Sequence, residues 1–105
     1  MVLLHVLTRG ETPGEIEAGV REAREWLEAT AAEFRAAGHP ATVRVHVGDP
    51  VREILQVASE ENVTLIAIGT VGKNWFREVL VGSTTLGVVR NGWYPVLVLR
   101  NHPDG

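Results

Sequence analysis

A chain of 105 residues with 45% hydrophobic and 22% charged side chains has the size and balance of one ordinary globular domain, residues 1–105. It has no cysteine, which excludes disulfides, thiolate metal sites and a cysteine nucleophile; its net charge of −3, with Lys and Arg scattered along it, argues against a nucleic-acid partner. Apolar runs such as Leu65–Ile68 and Val96–Leu99 fall far short of the roughly 20 residues that cross a bilayer, and no signal-like segment opens the chain, so a cytoplasmic protein without a membrane partner is expected.

In chain order, Val2 to Leu7 is an apolar run without alternation, as in a parallel strand covered on both faces. Thr12-Pro13-Gly14-Glu15 then reads as a helix start, with Thr12 as cap, Pro13 at the first helical position and Glu15 reaching back. The helix is expected to run to about Ala37, its buried stripe formed by Ile16, Val20, Ala23, Leu27, Ala31 and Phe34. Gly38 suits the left-handed residue that ends it, and Ala41 to Val47 alternates like a half-covered strand.

Asp49-Pro50 repeats the cap-then-proline start, and Val51, Ile54, Leu55 and Ala58 make the stripe of a shorter helix ending near Glu61-Asn62. Thr64 to Ile68 predicts a third strand, residues 73–82 a partly ordered excursion, Ser83 to about Arg90 a helix, and Pro95 to Arg100 a last strand. Strand and helix alternate throughout, which implies an open α/β sheet of parallel strands with right-handed crossovers and helices on both faces. Ligands of such sheets sit outside the carboxyl ends of the strands.

The segment that carries chemistry lies at that edge. Gly69-Thr70-Val71-Gly72 follows the third strand and, after nine residues, comes Gly82-Ser83-Thr84-Thr85 at the expected helix start. Backbone N–H groups wrap an anion closely where no Cβ obstructs, and a helix N-terminus adds unpaired donors and partial positive charge. Ser83 supplies a hydroxyl there and Lys73 a charge that screens phosphate. The plainer reading is that these glycines only end a strand and begin a helix.

Gly69-x2-Gly72-x9-Gly82-Ser83 resembles the nucleotide-binding signature of the universal stress protein family. The likeness extends over nearly the whole chain: Leu4-His5-Val6 resembles the family's second strand, Val47-Gly48-Asp49-Pro50 its third strand and turn, Leu65 to Gly69 its fourth, and Pro95 to Leu99 its fifth. The resemblance implies a Rossmann-like fold of the adenine nucleotide alpha hydrolase-like type and ATP, with Mg²⁺, as ligand. It carries over Gly69, Gly72, Gly82 and Ser83 as phosphate-contacting, with Thr70 and Thr84 alongside and Val6 lining the adenine side; Ser83 or Thr84 would touch the nucleotide-bound magnesium. It also implies a homodimer through the last strand, Pro95 to Leu99, paired antiparallel with its twin.

The family's sheet is ordered 3-2-1-4-5, and its first strand, ending in an aspartate, has no counterpart in these residues. A truncated domain of four strands is therefore expected. The sheet is expected to close either by direct pairing of this chain's first and third strands, which is favoured, or by exchange of an element with a second copy. Two functions follow: a nucleotide-binding stress-response module, or a nucleotide-free homodimeric interaction protein of the same descent.

Other residues offer less. His5, His39, His46 and His102 lack metal-ligand spacing, although His5 and His46 fall on neighbouring strands. Ser83, Thr84, Asp49 and Glu78 show no nucleophile elbow and no paired base, so no catalytic residue is assigned; slow ATP hydrolysis would resemble some relatives. Trp26 suits core or surface, Trp75-Phe76 a lid, a partner contact or a small cluster under its loop, and Trp93-Tyr94 a dimer seam.

Overall fold

The computed structural model describes residues 1–8, 12–69 and 78–99. In order, the elements are strand β1 (Val2–Leu7), helix α1 (Pro13–Ala36), strand β2 (Thr42–Val47), helix α2 (Pro50–Glu60), strand β3 (Ile66–Gly69), helix α3 (Glu78–Asn91) and strand β4 (Val96–Leu99). Residues 1–54 and 55–105 form two compact units. No helix among the described residues is long and apolar enough to cross a membrane.

In the first unit, α1 starts as its sequence dictates. The Thr12 backbone N–H donates to Glu15 Oε1 at 3.0 Å, and the Glu15 N–H donates to Thr12 Oγ1 at 3.2 Å. These reciprocal bonds satisfy donors that the helix start leaves unpaired, and they hold the Glu15 carboxyl pKa below its ordinary value. At the other end Gly38 takes φ +92°, which lets its N–H reach the Arg35 carbonyl at 3.0 Å and the His39 N–H reach that of Phe34 at 2.9 Å. Those two bonds are the Schellman closure of a helix.

Ala23, Leu27 and Ala31 form the buried stripe of α1, flanked by the half-buried Ile16, Val20 and Phe34. Gly19 extends the seam, since a Cβ built there would lie 3.0 Å from Leu7 Cδ2. β1 and β2 pair in parallel, in register from Val2 opposite Thr42 to Leu7 opposite Val47. Arg35 ties the helix end to this pair: its Nε and Nη2 donate to the Ala41 carbonyl at 2.9 and 2.7 Å, and its Nη1 meets Glu28 Oε2 at 3.2 Å.

α2 is capped by Asp49, whose Oδ2 accepts the Arg52 N–H at 2.9 Å, with Pro50 at the first helical position. It ends on Asn62 at φ 52°, where the Asn62 and Val63 N–H groups bond to the Ser59 and Ala58 carbonyls. Asparagine tolerates this left-handed geometry better than other L-residues do. In the second unit β3 and β4 pair in parallel, from Ile66 opposite Val96 to Gly69 opposite Leu99. Val57, Ala58, Ile66 and Val88 are buried there, and Gly92 permits a close approach, because a Cβ on it would meet Leu55 Cδ2 at 2.6 Å.

Two expectations are corrected. Among the described residues the sheet pattern is two two-stranded parallel sheets, β1-β2 and β3-β4, and not the favoured direct pairing of the first and third strands. Each pair joins strands linked through a single crossover helix, the connection that a parallel pair requires. The last helix begins at Glu78, five residues ahead of Ser83, because Val79-Leu80-Val81 carries no glycine or proline to delay it.

Candidate nucleotide site

The site proposed from sequence starts at Gly69, the last residue of β3, at the carboxyl end of the β3–β4 pair where α/β sheets bind ligands. Thr70, Gly72 and Lys73, as well as Trp75-Phe76, lie outside the described residues. Gly82, Ser83 and Thr84 are placed within α3. Gly82 and Ser83 thus occupy the second turn rather than the helix start, and the free N–H groups of a helix are those of its first turn.

Val6, expected on the adenine side, is half-buried in β1 and in register with His46. At the carboxyl end of the β1–β2 pair is an open depression of about 320 Å³, lined by Thr8, Gly48, Asp49 and Pro50. Next to Gly48 stands an ion-pair geometry that sequence reasoning did not single out: His46 Nδ1 lies 2.7 Å from Glu53 Oε1, with the two side chains 21% and 19% exposed. It ties β2 to the first turn of α2, across the Gly48-Asp49-Pro50 turn. A Cβ on Gly48 would come 3.2 Å from the Glu53 carboxylate, so glycine leaves room for this contact. The available signal was a strand histidine placed just before a capped helix whose first turn carries a glutamate.

His5 is in register with Val45, one step from the Val6–His46 pair, so alternation turns His5 and His46 to opposite faces of the sheet. The pair cannot share a metal ion. His5 instead packs edge-on to Trp26 with ring centroids 6.3 Å apart, and burial lowers its pKa below the ordinary histidine value. Among the described residues no group of three or more His, Asp or Glu side chains could hold a metal. Asp49 is engaged as a helix cap.

The family model described as the universal stress protein family matches residues 1–100. Universal stress protein MJ0577 of Methanocaldococcus jannaschii is 34% identical over 79 residues, which cover 75% of this chain and 49% of that protein. Universal stress protein Sll1388 of Synechocystis is 29% identical over 86 residues, 82% of this chain and 56% of that protein. The chain thus spans about half the length of these curated relatives.

Among solved structures, that of MJ0577 superposes with a TM-score of 0.76 at 30% identity over 96% of this chain and 75% of that one. A universal stress protein solved in complex with cAMP gives 0.56 at 27% identity, over 94% and 72%. With a family model covering nearly all of its residues and this shared α/β architecture, the chain belongs to the universal stress protein family.

Proposed function

We propose that the chain is an adenine-nucleotide-binding module of the stress response, without a catalytic role of its own, which binds ATP with Mg²⁺ and acts as a homodimer in the cytoplasm. The observation that carries this reading is β3 ending on Gly69 at the ligand-binding edge of a parallel pair, directly before the spaced glycines 72 and 82. In this reading Gly69, Thr70, Gly72, Gly82, Ser83 and Thr84 surround the phosphates, Lys73 screens their charge and Val6 lines the adenine side. A family member solved with cAMP supports an adenine nucleotide as the ligand class.

Thermal unfolding with and without Mg-ATP tests it. At about 100 times its dissociation constant a ligand stabilises the folded state by roughly 2.7 kcal/mol. The Gly72→Val variant should lose that shift while keeping its unliganded melting point, and sodium tripolyphosphate in place of ATP isolates the phosphate contribution. Absence of any shift at millimolar Mg-ATP refutes the reading.

A second reading, a nucleotide-free interaction protein, is favoured by one observation: Gly82 and Ser83 stand inside α3, where their N–H groups belong to the helix ladder. Under either reading the dimer uses the edge of β4, which among the described residues pairs only with β3, with strand exchange as its variant form. Light scattering at micromolar concentration reads the mass directly.

A further inference from the structure

Asparagine precedes glycine at one place in the chain, Asn91-Gly92; Asn62, Asn74 and Asn101 precede Val63, Trp75 and His102. The difference is chemical. The side-chain amide of an asparagine is open to attack by the backbone nitrogen of the next residue, and a side chain on that residue shields the nitrogen. Glycine has none, so Asn91 is the most reactive asparagine of the sequence. Such a pair ordinarily marks a turn, whereas here Asn91 is the last residue of α3.

Glycine is needed at 92 for a reason unrelated to turn geometry, since Gly92 does not take a positive φ. A Cβ there would stand 2.6 Å from Leu55 Cδ2 and 3.0 Å from the Val88 carbonyl oxygen, so close packing excludes a larger residue. The same surroundings restrain both reacting groups. The Gly92 N–H donates to the Val88 carbonyl at 3.0 Å, and Asn91 Nδ2 donates to the Gly87 carbonyl at 2.8 Å. A nitrogen that donates to a helix carbonyl keeps its proton. Ring closure also requires the Asn91 backbone to leave the helical ψ of about −40°. Asn91 itself is exposed, so water reaches it.

We propose that Asn91-Gly92 is a modification site gated by folding, a spontaneous deamidation that the closed end of α3 blocks and its opening permits. In the opened chain the Gly92 nitrogen gives up its proton and bonds to Asn91 Cγ. The Cγ–Nδ2 bond breaks, and the side-chain nitrogen leaves as ammonia with that proton. Water, the only co-reactant, then opens the five-membered imide at either carbonyl and leaves aspartate or isoaspartate at 91. A carboxylate at 91 cannot donate to the Gly87 carbonyl, and it sets negative charge at a helix end where carbonyls already point. Isoaspartate routes the main chain through Cβ, one atom longer, directly before the residue that Leu55 crowds. An opening that lasts long enough therefore makes the next one easier, and the unit of residues 55–105 keeps a chemical record of having been unfolded.

The experiment follows residue 91 of the full chain by peptide mapping with mass spectrometry, which separates aspartyl from isoaspartyl products. The chain is held at neutral pH, folded in sodium chloride or unfolded in guanidinium chloride of equal ionic strength. Conversion at Asn91 should be at least tenfold slower in the folded chain, because only its opened fraction reacts. Asn91→Gln, whose longer side chain disfavours ring closure, should remove most of the ammonia released by the unfolded chain. Asn91→Asp stands for the product and should raise the unfolding constant about two- to fivefold in a denaturant titration. Equal rates in folded and unfolded chains overturn the gate. Ammonia release undiminished in Asn91→Gln overturns the site, and an Asn91→Asp variant as stable as the wild type overturns the record.

Discussion

Replacing Arg35 by methionine tests whether the end of α1 is fastened to β2 through one side chain. The Ala41 carbonyl accepts two bonds from Arg35, at 2.9 and 2.7 Å, and Ala41 itself is 6% exposed. Methionine keeps the apolar stem and removes both donors. A hydrogen bond from a charged group contributes about 1.5–3 kcal/mol, but here two bonds share one acceptor and the Arg35 side chain is 45% exposed. The expected loss is therefore about 1.5–2 kcal/mol.

The ion pair to Glu28 adds little, since exposed pairs contribute about 0–1 kcal/mol; Glu28→Gln should cost below about 0.5. For a urea slope of roughly 1.5 kcal/mol per M, Arg35→Met should lower the unfolding midpoint by about 1 M and Glu28→Gln by under about 0.3 M. Equal shifts for the two variants, or a shift under about 0.3 M for Arg35→Met, would refute the assignment of the effect to the carbonyl.

Three further outcomes are expected. Thr12→Ala removes the acceptor of the Glu15 N–H and should cost about 1 kcal/mol in urea denaturation, while Thr12→Ser should retain most of the stability. Gly38→Ala forces a Cβ into φ +92° and should cost about 1–2 kcal/mol, whereas Asn62→Gly, already left-handed, should be neutral or slightly stabilising. The lowered His5 pKa means that the unfolded chain takes up this proton first as pH falls. Stability is then full above the unfolded histidine value near 6.5 and declines below it, and His5→Phe should flatten that decline in denaturation series between pH 7.5 and 5.5.

What could be read from the sequence was what is decided locally. The Thr12–Glu15 box, the Gly38 stop and the Asp49 cap each depend on residues within five positions of one another, and all three stand where their residue types place them. Strand partnership is not local: β1 and β3 are both apolar, and nothing within either run states which edge it joins. The start of α3 was hidden for a different reason. The spaced glycines suggested a helix beginning at Ser83, although Glu78 to Val81 is itself compatible with helix. The His46–Glu53 contact spans a strand, a turn and a helix start, so its residues come together only once the turn geometry is known.

The seam between α1 and its strands bears on how this protein can change. Small residues line it at Gly19, Ala23 and Ala31, with Ala31 wholly inaccessible and Leu7 already against the place where a side chain on Gly19 would begin. Residues this small have almost nothing to lose by truncation, so cavity-forming substitution in the buried stripe is left to Leu27. Growth is the only direction left at these positions, and at Gly19 it meets the Leu7 side chain at once. In a saturation library positions 19, 23 and 31 should therefore show a one-sided profile, tolerant of exchanges among Gly, Ala and Ser and depleted in larger side chains.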